Sequence, residues 1–127
     1  MREILFRGQT RRKGEKVRLD GTPVDSHWVY GGVSQNRGII YQVDPDIDKF
    51  PVYPDTVGQC TGKNDLNGQR IFEGDIVRYG DKLYTVKWAE KYMRFAFMRK
   101  DVVMAMFLPE ACVVVGNVYD NPEMMEE

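Results

Sequence analysis

The stretch that decides the fold is Ile76-Val77-Arg78-Tyr79-Gly80-Asp81-Lys82-Leu83-Tyr84-Thr85-Val86-Lys87-Trp88. Both halves are rich in β-branched and aromatic residues, and the Gly-Asp pair between them fits a two-residue hairpin turn. The second half alternates between two faces, with Tyr84, Val86 and Trp88 together on one of them. The stretch therefore predicts a β-hairpin with one face in a hydrophobic core.

Further strands follow this hairpin. Residues 94–99 alternate in the same way, residues 102–108 are interpreted as extended, and residues 112–119 form a strongly apolar run. Asn121, Pro122 and Glu123 provide an N-cap residue, a proline and an acidic residue in the order that is typical of the start of a helix. Few residues of the sequence follow them. The second half of the chain therefore predicts curled antiparallel sheets or a small SH3-like barrel, ending in a short helical turn.

Hairpins are also predicted in the first half. The clearest joins residues 27–33 and 38–43 through a turn at 34–37. A second pairs residues 4–6 with residues 17–19 across a polar turn at 9–15. The expected fold is mainly β, with a small α content.

An acidic segment at residues 44–54 separates the two halves. It contains three prolines, which cannot donate to a strand ladder, and this predicts a loop. Asn67-Gly68, further along, has the composition of a type I′ turn. A length of 127 residues suits one domain. We expect a single domain over 1–127, with sub-halves of roughly 1–54 and 55–127.

Reactive side chains are scarce. The sequence has one histidine, His27, and two cysteines, Cys60 and Cys112, which cannot supply the four ligands of a structural zinc site. We interpret His27 as an ordinary strand residue and the cysteines as free, buried thiols. No catalytic residue, metal site or cofactor is predicted.

The longest apolar run, residues 102–108, is far shorter than a membrane-spanning helix, and the N-terminal residues lack the apolar region of a signal peptide. These observations predict no membrane contact and a cytoplasmic location.

Charge is uneven although the net charge is only −1. A basic turn at Arg11, Arg12, Lys13 and Lys16 is a candidate surface for nucleic acid or a protein partner. A second basic group comprises Lys82, Lys87, Lys91, Arg94, Arg99 and Lys100. Acidic residues concentrate at 44–55 and 120–127. Opposite charges on one chain favour self-association between copies.

Two acidic motifs have spacings that also occur in functional sites. Glu73-Gly74-Asp75 places two carboxylates at a spacing that suits general acid–base catalysis, which leaves a hydrolase or nuclease as one alternative. A tight turn with positive φ at Gly74 explains the same residues. Asp44-Pro45-Asp46-Ile47-Asp48 begins like a calcium loop, but Lys49 occupies the sixth position, where such loops need glycine. A solvated acidic loop is the favoured interpretation.

Aromatic residues interleave with bases along the strands, as they do on surfaces that stack single-stranded nucleic acid. They are Trp28, Tyr30, Tyr41, Tyr79, Tyr84, Trp88, Phe95 and Phe97. Core packing explains the same stripe, and the acidic pI of 5.9 weighs against nucleic acid. Single-stranded nucleic-acid binding therefore stays an alternative.

Five segments together resemble the YopX family of phage and prophage proteins. They are Arg2–Arg7, Trp28–Gly31, Asp55–Gly62, Asn67–Val77 and Val115–Glu123. Cys60 stands where the family usually has an aromatic, and the segments that carry the resemblance do not include residues 91–110. The resemblance implies a small β-rich phage or prophage protein that forms multi-subunit assemblies. It assigns no catalytic or binding residue.

The resemblance also marks a set of motif residues, which we interpret as structural turn positions. They are Gly62, Gly68, Glu73, Gly74, Asp75, Gly116 and Asn117. The function expected from the sequence is a non-enzymatic module that self-associates and contacts host or phage proteins in the bacterial cytoplasm.

Overall fold

A computed structural model of the chain describes residues 5–14, 19, 25–42, 48–100, 102–104 and 108–125. The strands in these residues are β1 Phe6–Arg11, β2 His27–Val33, β3 Ile39–Gln42, β4 Asp48–Pro51, β5 Gly58–Asn64, β6 Arg70–Phe72, β7 Asp75–Tyr79, β8 Lys82–Ala89, β9 Arg94–Arg99, β10 Val102–Val103 and β11 Val113–Asn117. The helices in the described residues are short 3₁₀ turns at Pro54–Thr56, Glu90–Tyr92, Pro109–Ala111 and Pro122–Met125. The predicted mainly β fold with little helix is confirmed.

The chain forms two compact units, residues 1–59 and residues 60–127. Strand β5 crosses the boundary between them. Whether the whole chain acts as one domain stays a prediction.

The first unit is an antiparallel sheet. β1 pairs with β2 on one side and with the start of β5 on the other, and β3 and β4 extend the sheet beyond β2. Its core consists of Val29, Ile40, Val52 and Val57. The predicted hairpin between residues 27–33 and 38–43 is confirmed by the β2–β3 pairing.

The polar turn predicted at residues 9–15 is wrong in its first part, because β1 continues to Arg11 and pairs with β2. Gln9 is 1% exposed, its amide donates to Thr56 Oγ1 at 2.9 Å, and its carbonyl accepts from the Tyr53 amide at 2.9 Å. These bonds satisfy a buried polar backbone and let the strand extend. Of the predicted partner residues 17–19, only Leu19 lies within the described residues, in a turn.

The loop predicted at residues 44–54 is also partly wrong, since Asp48–Pro51 forms β4 and pairs with β3. β4 lies at the edge of the sheet, where a proline that cannot donate a hydrogen bond is tolerated. Residues 44–47 lie outside the described part of the chain.

The second unit contains a five-stranded antiparallel sheet with the order β10-β9-β8-β7-β11. The predicted β7–β8 hairpin is confirmed, and Gly80 in its turn has a φ of 65°. Within the described residues the sheet ends at β10 and β11, so it is an open sheet and not the barrel alternative. Residues 102–103 are extended, as predicted, and residues 105–107 lie outside the described part.

Both faces of this sheet carry buried residues. One face presents Val77, Val86 and Phe97 to a core that also contains Ile71 and Cys112. Ile76 and Ala96, which alternate with them and point to the other face, are each 0% exposed. The sequence predicted one buried face; the structure adds the second.

Two turns complete the second unit. In Asn67-Gly68, Gly68 alone has a positive φ, of 82°, so the predicted type I′ turn is wrong. The predicted short helical turn near the C-terminus is confirmed as the 3₁₀ helix Pro122–Met125.

Candidate functional site

The basic turn predicted as an interaction surface is partly engaged within its own unit. Arg12 Nη2 lies 2.6 Å from Asp55 Oδ1, and the Arg12 guanidinium lies 4.1 Å from the centre of the Tyr53 ring. Arg11 Nε donates to the Asp25 carbonyl at 3.0 Å. Lys13 is exposed, whereas the fourth predicted residue, Lys16, lies outside the described residues.

The Arg12–Asp55 pair joins the basic turn to the acidic segment at residues 44–55. Because both side chains are about half exposed, an ion pair of this kind contributes only about 0–1 kcal/mol. It nevertheless pairs one positive and one negative charge within a single copy of the chain, and a contact between copies could otherwise have used both charges. The charge argument for self-association is weaker at this place than the sequence indicated.

The Glu73-Gly74-Asp75 motif forms the turn between β6 and β7. Gly74 has a φ of 94°, and its amide donates to the Val86 carbonyl at 2.8 Å. Asp75 is 2% exposed, and its Oδ2 accepts from the Phe72 amide at 2.7 Å. In this geometry the Asp75 carboxylate fixes a turn instead of facing solvent, where a substrate would meet it.

The Gly116-Asn117 motif lies beside that turn, because Asn117 pairs with Asp75 across β11 and β7. Asn117 Oδ1 accepts from the amides of Tyr119 and Asp120 at 3.1 and 2.9 Å, which closes the chain into a turn after β11. The Val118 amide donates to the Gly74 carbonyl at 2.9 Å. Motif residues more than 40 positions apart in sequence therefore meet at one end of the sheet.

Asp65 is a buried polar residue that the sequence patterns do not predict. Its Oδ1 accepts from the amides of Asn67 and Gln69, and its Oδ2 accepts from the Val114 amide, each at 2.9 Å. Burial acts to raise the pKa of this carboxyl, but the three amides outweigh it and hold the pKa below its ordinary value. In the sequence, the one indication of this role is the Asp-x-x-Gly spacing of Asp65 and Gly68, which is typical of a turn.

Both cysteines and the histidine contact neighbouring backbone or side-chain atoms within the fold. Cys112 is 0% exposed and its Sγ lies 3.2 Å from the Pro109 carbonyl, to which it donates. Burial, aided by the negative charge of Asp65, raises the pKa of the Cys112 thiol to about 11. With its raised pKa, the Cys112 thiol is a poor nucleophile at neutral pH. Cys60 Sγ accepts from the Gly62 amide at 3.4 Å, and His27 Nδ1 lies 2.6 Å from Thr10 Oγ1.

We therefore expect Cys112 to resist alkylation in the folded protein. In a Cys60→Ser variant, where Cys112 is the remaining cysteine, iodoacetamide at pH 8 should react at least about 100-fold more slowly with native protein than with protein unfolded in urea. Mass spectrometry over time measures both rates. Equal rates would contradict the buried, protonated thiol.

Neither a metal-binding cluster nor a membrane-spanning helix is found among the described residues. Among them, no three His, Cys, Asp or Glu side chains come together in a group that could hold a metal ion. Asp48 lies in β4 and Asp55 contacts Arg12, while Asp44 and Asp46 of the calcium-like motif lie outside the described part. No helix in the described part is both long and apolar enough to cross a membrane.

Exposed apolar side chains gather where β8 turns into β9. Trp88 is 43% exposed, Tyr92 51% and Met93 73%. The Lys91 ammonium and the Arg94 guanidinium lie 5.7 and 5.5 Å from the centre of the Tyr92 ring, within the range of cation–π attraction. We call these five residues the tip surface.

The backbone holds the tip surface in a defined shape. The 3₁₀ turn Glu90–Tyr92 ends at Met93, which adopts the left-handed region at a φ of 54°. Trp88 packs edge-on against the buried Phe95, with ring centres 5.1 Å apart. The sequence placed Trp88 on the core face of β8; it is on that face, but at the end of the strand, where the ring stays partly exposed.

A family model described as YopX protein matches residues 11–126. Among solved structures, the crystal structure of protein EF1440 from Enterococcus faecalis is similar, with 18% sequence identity over 99% of this chain and 100% of that chain and a TM-score of 0.49. No curated protein matches the chain.

Proposed function

This chain belongs to the YopX protein family, and from that premise we propose that it is a phage- or prophage-encoded, non-enzymatic module that self-associates through its tip surface in the cytoplasm of a bacterial host. The description of the family names no activity, so the proposal is argued from the surface of this chain.

The tip surface is the observation that carries the proposal. Tryptophan, tyrosine, methionine and arginine are the residue types enriched in the centres of protein interfaces, and Trp88, Tyr92, Met93 and Arg94 provide one of each within seven positions. Trp88 already rests on Phe95, so little side-chain freedom is lost when a partner covers it. Such preordered aromatic anchors are typical of hot spots.

A second copy of the chain supplies the complementary charge. Lys91 and Arg94 make the tip surface basic, with Glu90 the one acid in the connection between β8 and β9. The exposed Glu110 and Glu123, together with the acidic final residues of the sequence, offer negative charge on the same chain. A head-to-tail contact between copies would bring the two together.

Single-stranded nucleic acid is the alternative occupant of this surface. A base stacked on Tyr92 would compete with Lys91 and Arg94 for the face of the ring, because both cations lie within 6 Å of it. A protein partner can contact both cations and the edge of the Tyr92 ring without displacing Lys91 or Arg94 from the face of the ring. The geometry therefore favours protein over nucleic acid.

The test compares the mass of the protein in solution with that of a tip variant. Tyr92→Ser combined with Met93→Asn removes two exposed anchors, and asparagine accepts the left-handed backbone at position 93. Sedimentation equilibrium should give an oligomer for the unaltered chain, with the variant dissociating about 30-fold more readily, the equivalent of about 2 kcal/mol.

Leu66→Asn is the matched control, because Leu66 is 65% exposed and lies in the turn between β5 and β6, away from the tip surface. Its amide donates to the Cys112 carbonyl, just before β11, at the end of the sheet where β8 begins. This variant should associate like the unaltered chain. A chain that is monomeric at high concentration, or a tip variant that associates normally, would overturn the proposal. Retention of a labelled single-stranded oligonucleotide that the tip variant loses would assign the surface to nucleic acid instead.

A further inference from the structure

A basic cleft lies at the end of the second-unit sheet away from the tip surface, where β8 begins and β9 turns into β10. Its volume is about 330 Å³, at the lower end of the range for small-molecule sites. The lining residues are Lys82, Tyr84, Arg99, Lys100, Val102 and Met104. None of these six is acidic, and three are cations.

The cations are placed by the strands. Arg99 Nη1 donates to the Leu83 carbonyl at 3.2 Å, which holds the guanidinium across the β8–β9 pair. Lys82 follows the tight turn at Gly80 and is exposed. Lys100, also exposed, has a φ of 50°, so the chain reverses here and brings β10 back against β9. Positive charge from both strands of the hairpin thus converges on one opening.

The remaining wall is flat and apolar. Tyr84 stacks on the buried Phe97, with ring centres 6.0 Å apart and an interplanar angle of 28°. Met104 packs on the same core, and its amide donates to the Phe97 carbonyl at 2.8 Å. Because the backing residues are buried, the wall exists before any ligand arrives, which lowers the entropic cost of binding.

We propose that this cleft binds a nucleoside phosphate. The phosphate takes the positive charge of Lys82, Lys100 and Arg99, since phosphate oxygens are the usual acceptors of converging lysine and arginine donors. The base lies against Tyr84 and Met104, because every base offers a flat π-face to an aromatic wall. An anion without a ring would leave that wall uncovered.

The same chemistry could come from a free nucleotide or from the end of a single strand. Calorimetric titration with adenosine monophosphate, inorganic phosphate and a short single-stranded oligothymidylate separates these sources. Adenosine monophosphate should bind more tightly than phosphate by at least about tenfold, because the base adds a stacking contact. Tighter binding of the oligonucleotide than of the mononucleotide supports the cleft and assigns it to strand ends.

Two variants test which residues act. Lys82→Gln with Lys100→Gln should weaken all three probes by about tenfold or more. Tyr84→Leu keeps an apolar wall but no flat ring, so it should weaken adenosine monophosphate several-fold and leave inorganic phosphate unchanged.

The control is Lys63→Gln with Lys87→Gln, which removes the same charge from exposed positions outside the cleft and should bind like the unaltered chain. Circular dichroism confirms that each variant is folded. Absence of binding at millimolar ligand, equal loss in the control, or equal affinity for phosphate and adenosine monophosphate would each overturn the proposal. The proposal does not depend on self-association, because the tip surface lies at the other end of β8.

Discussion

Replacing Asp65 with alanine lowers the free energy of unfolding of the second unit by about 4 kcal/mol, the largest effect we expect from one substitution in that unit. Asp65 is 5% exposed, and its carboxylate accepts from the amides of Asn67, Gln69 and Val114. Alanine leaves those donors without their acceptor. Hydrogen bonds to a charged group are worth more than neutral ones, so the loss exceeds that of an ordinary surface change.

The position of Val114 adds to the cost. β11 is one of the two edge strands of its sheet in the described residues, and the Val114 amide points away from β7 toward Asp65. The carboxylate therefore closes part of an edge that would otherwise offer an unpaired donor to other chains. We expect the alanine variant to aggregate more readily as well as to unfold at lower urea.

The measurement uses a Trp28→Phe background, in which Trp88 is the only tryptophan and reports on the second unit. Urea unfolding followed by fluorescence gives the loss for Asp65→Ala. Asp65→Asn is the matched control, because its oxygen still accepts from one side while its amide group faces a donor on the other. It should lose about half as much. A loss below about 1 kcal/mol for alanine would contradict the role assigned to Asp65.

The difference in stability between the unaltered chain and Asp65→Asn depends on pH, and the direction of that dependence follows from the pKa of Asp65. The folded-state pKa of Asp65 lies below the ordinary value of 3.8, so its charge stabilises the fold above the unfolded pKa, and this stabilisation is lost as pH falls through the folded pKa. The gap between the unaltered chain and Asp65→Asn should be constant near neutral pH and shrink below about pH 4. A gap that widens in acid would show that the carboxylate is not stabilised by the amides.

Local patterns predicted the elements whose stabilising contacts are local. The β7–β8 hairpin followed from alternating residues and a glycine in the turn, and the structure has it where predicted. Asp65 escaped prediction because one of its partners, Val114, is 49 positions away. The same is true of Gln9, whose amide is satisfied by Thr56, 47 positions along the chain. A polar residue looks like a turn residue until such a partner is known.

The candidate surfaces show the same contrast between features that are visible in the sequence and contacts that depend on the fold. Arg12 and Asp55 were visible as charges of opposite sign, but their contact depends on the fold of the first unit. Trp88 was placed on the correct face of β8, and only the end of the strand at Ala89 explains its exposure. Lys82 and Lys100 were grouped as bases in the sequence, whereas their convergence on Tyr84 required the β8–β9 register.

Replacing Gly31 with alanine should lower the free energy of unfolding of the first unit by about 3 kcal/mol or more, whereas Gly32→Ala should leave it unchanged or raise it by about 0.5 kcal/mol. A Cβ at Gly31 would overlap the carbonyl oxygen of Tyr41, which belongs to the backbone of the paired strand β3 and cannot rotate away. At Gly32 a Cβ meets nothing within 4 Å. The two glycines are neighbours in β2, so strand propensity and unfolded-state entropy change almost equally at both positions. The contact with Tyr41 is therefore what distinguishes the two substitutions. Urea unfolding in a Trp88→Phe background, where Trp28 reports on the first unit, measures both. Equal effects at the two positions would mean that β2 and β3 do not approach as closely as the structure has them.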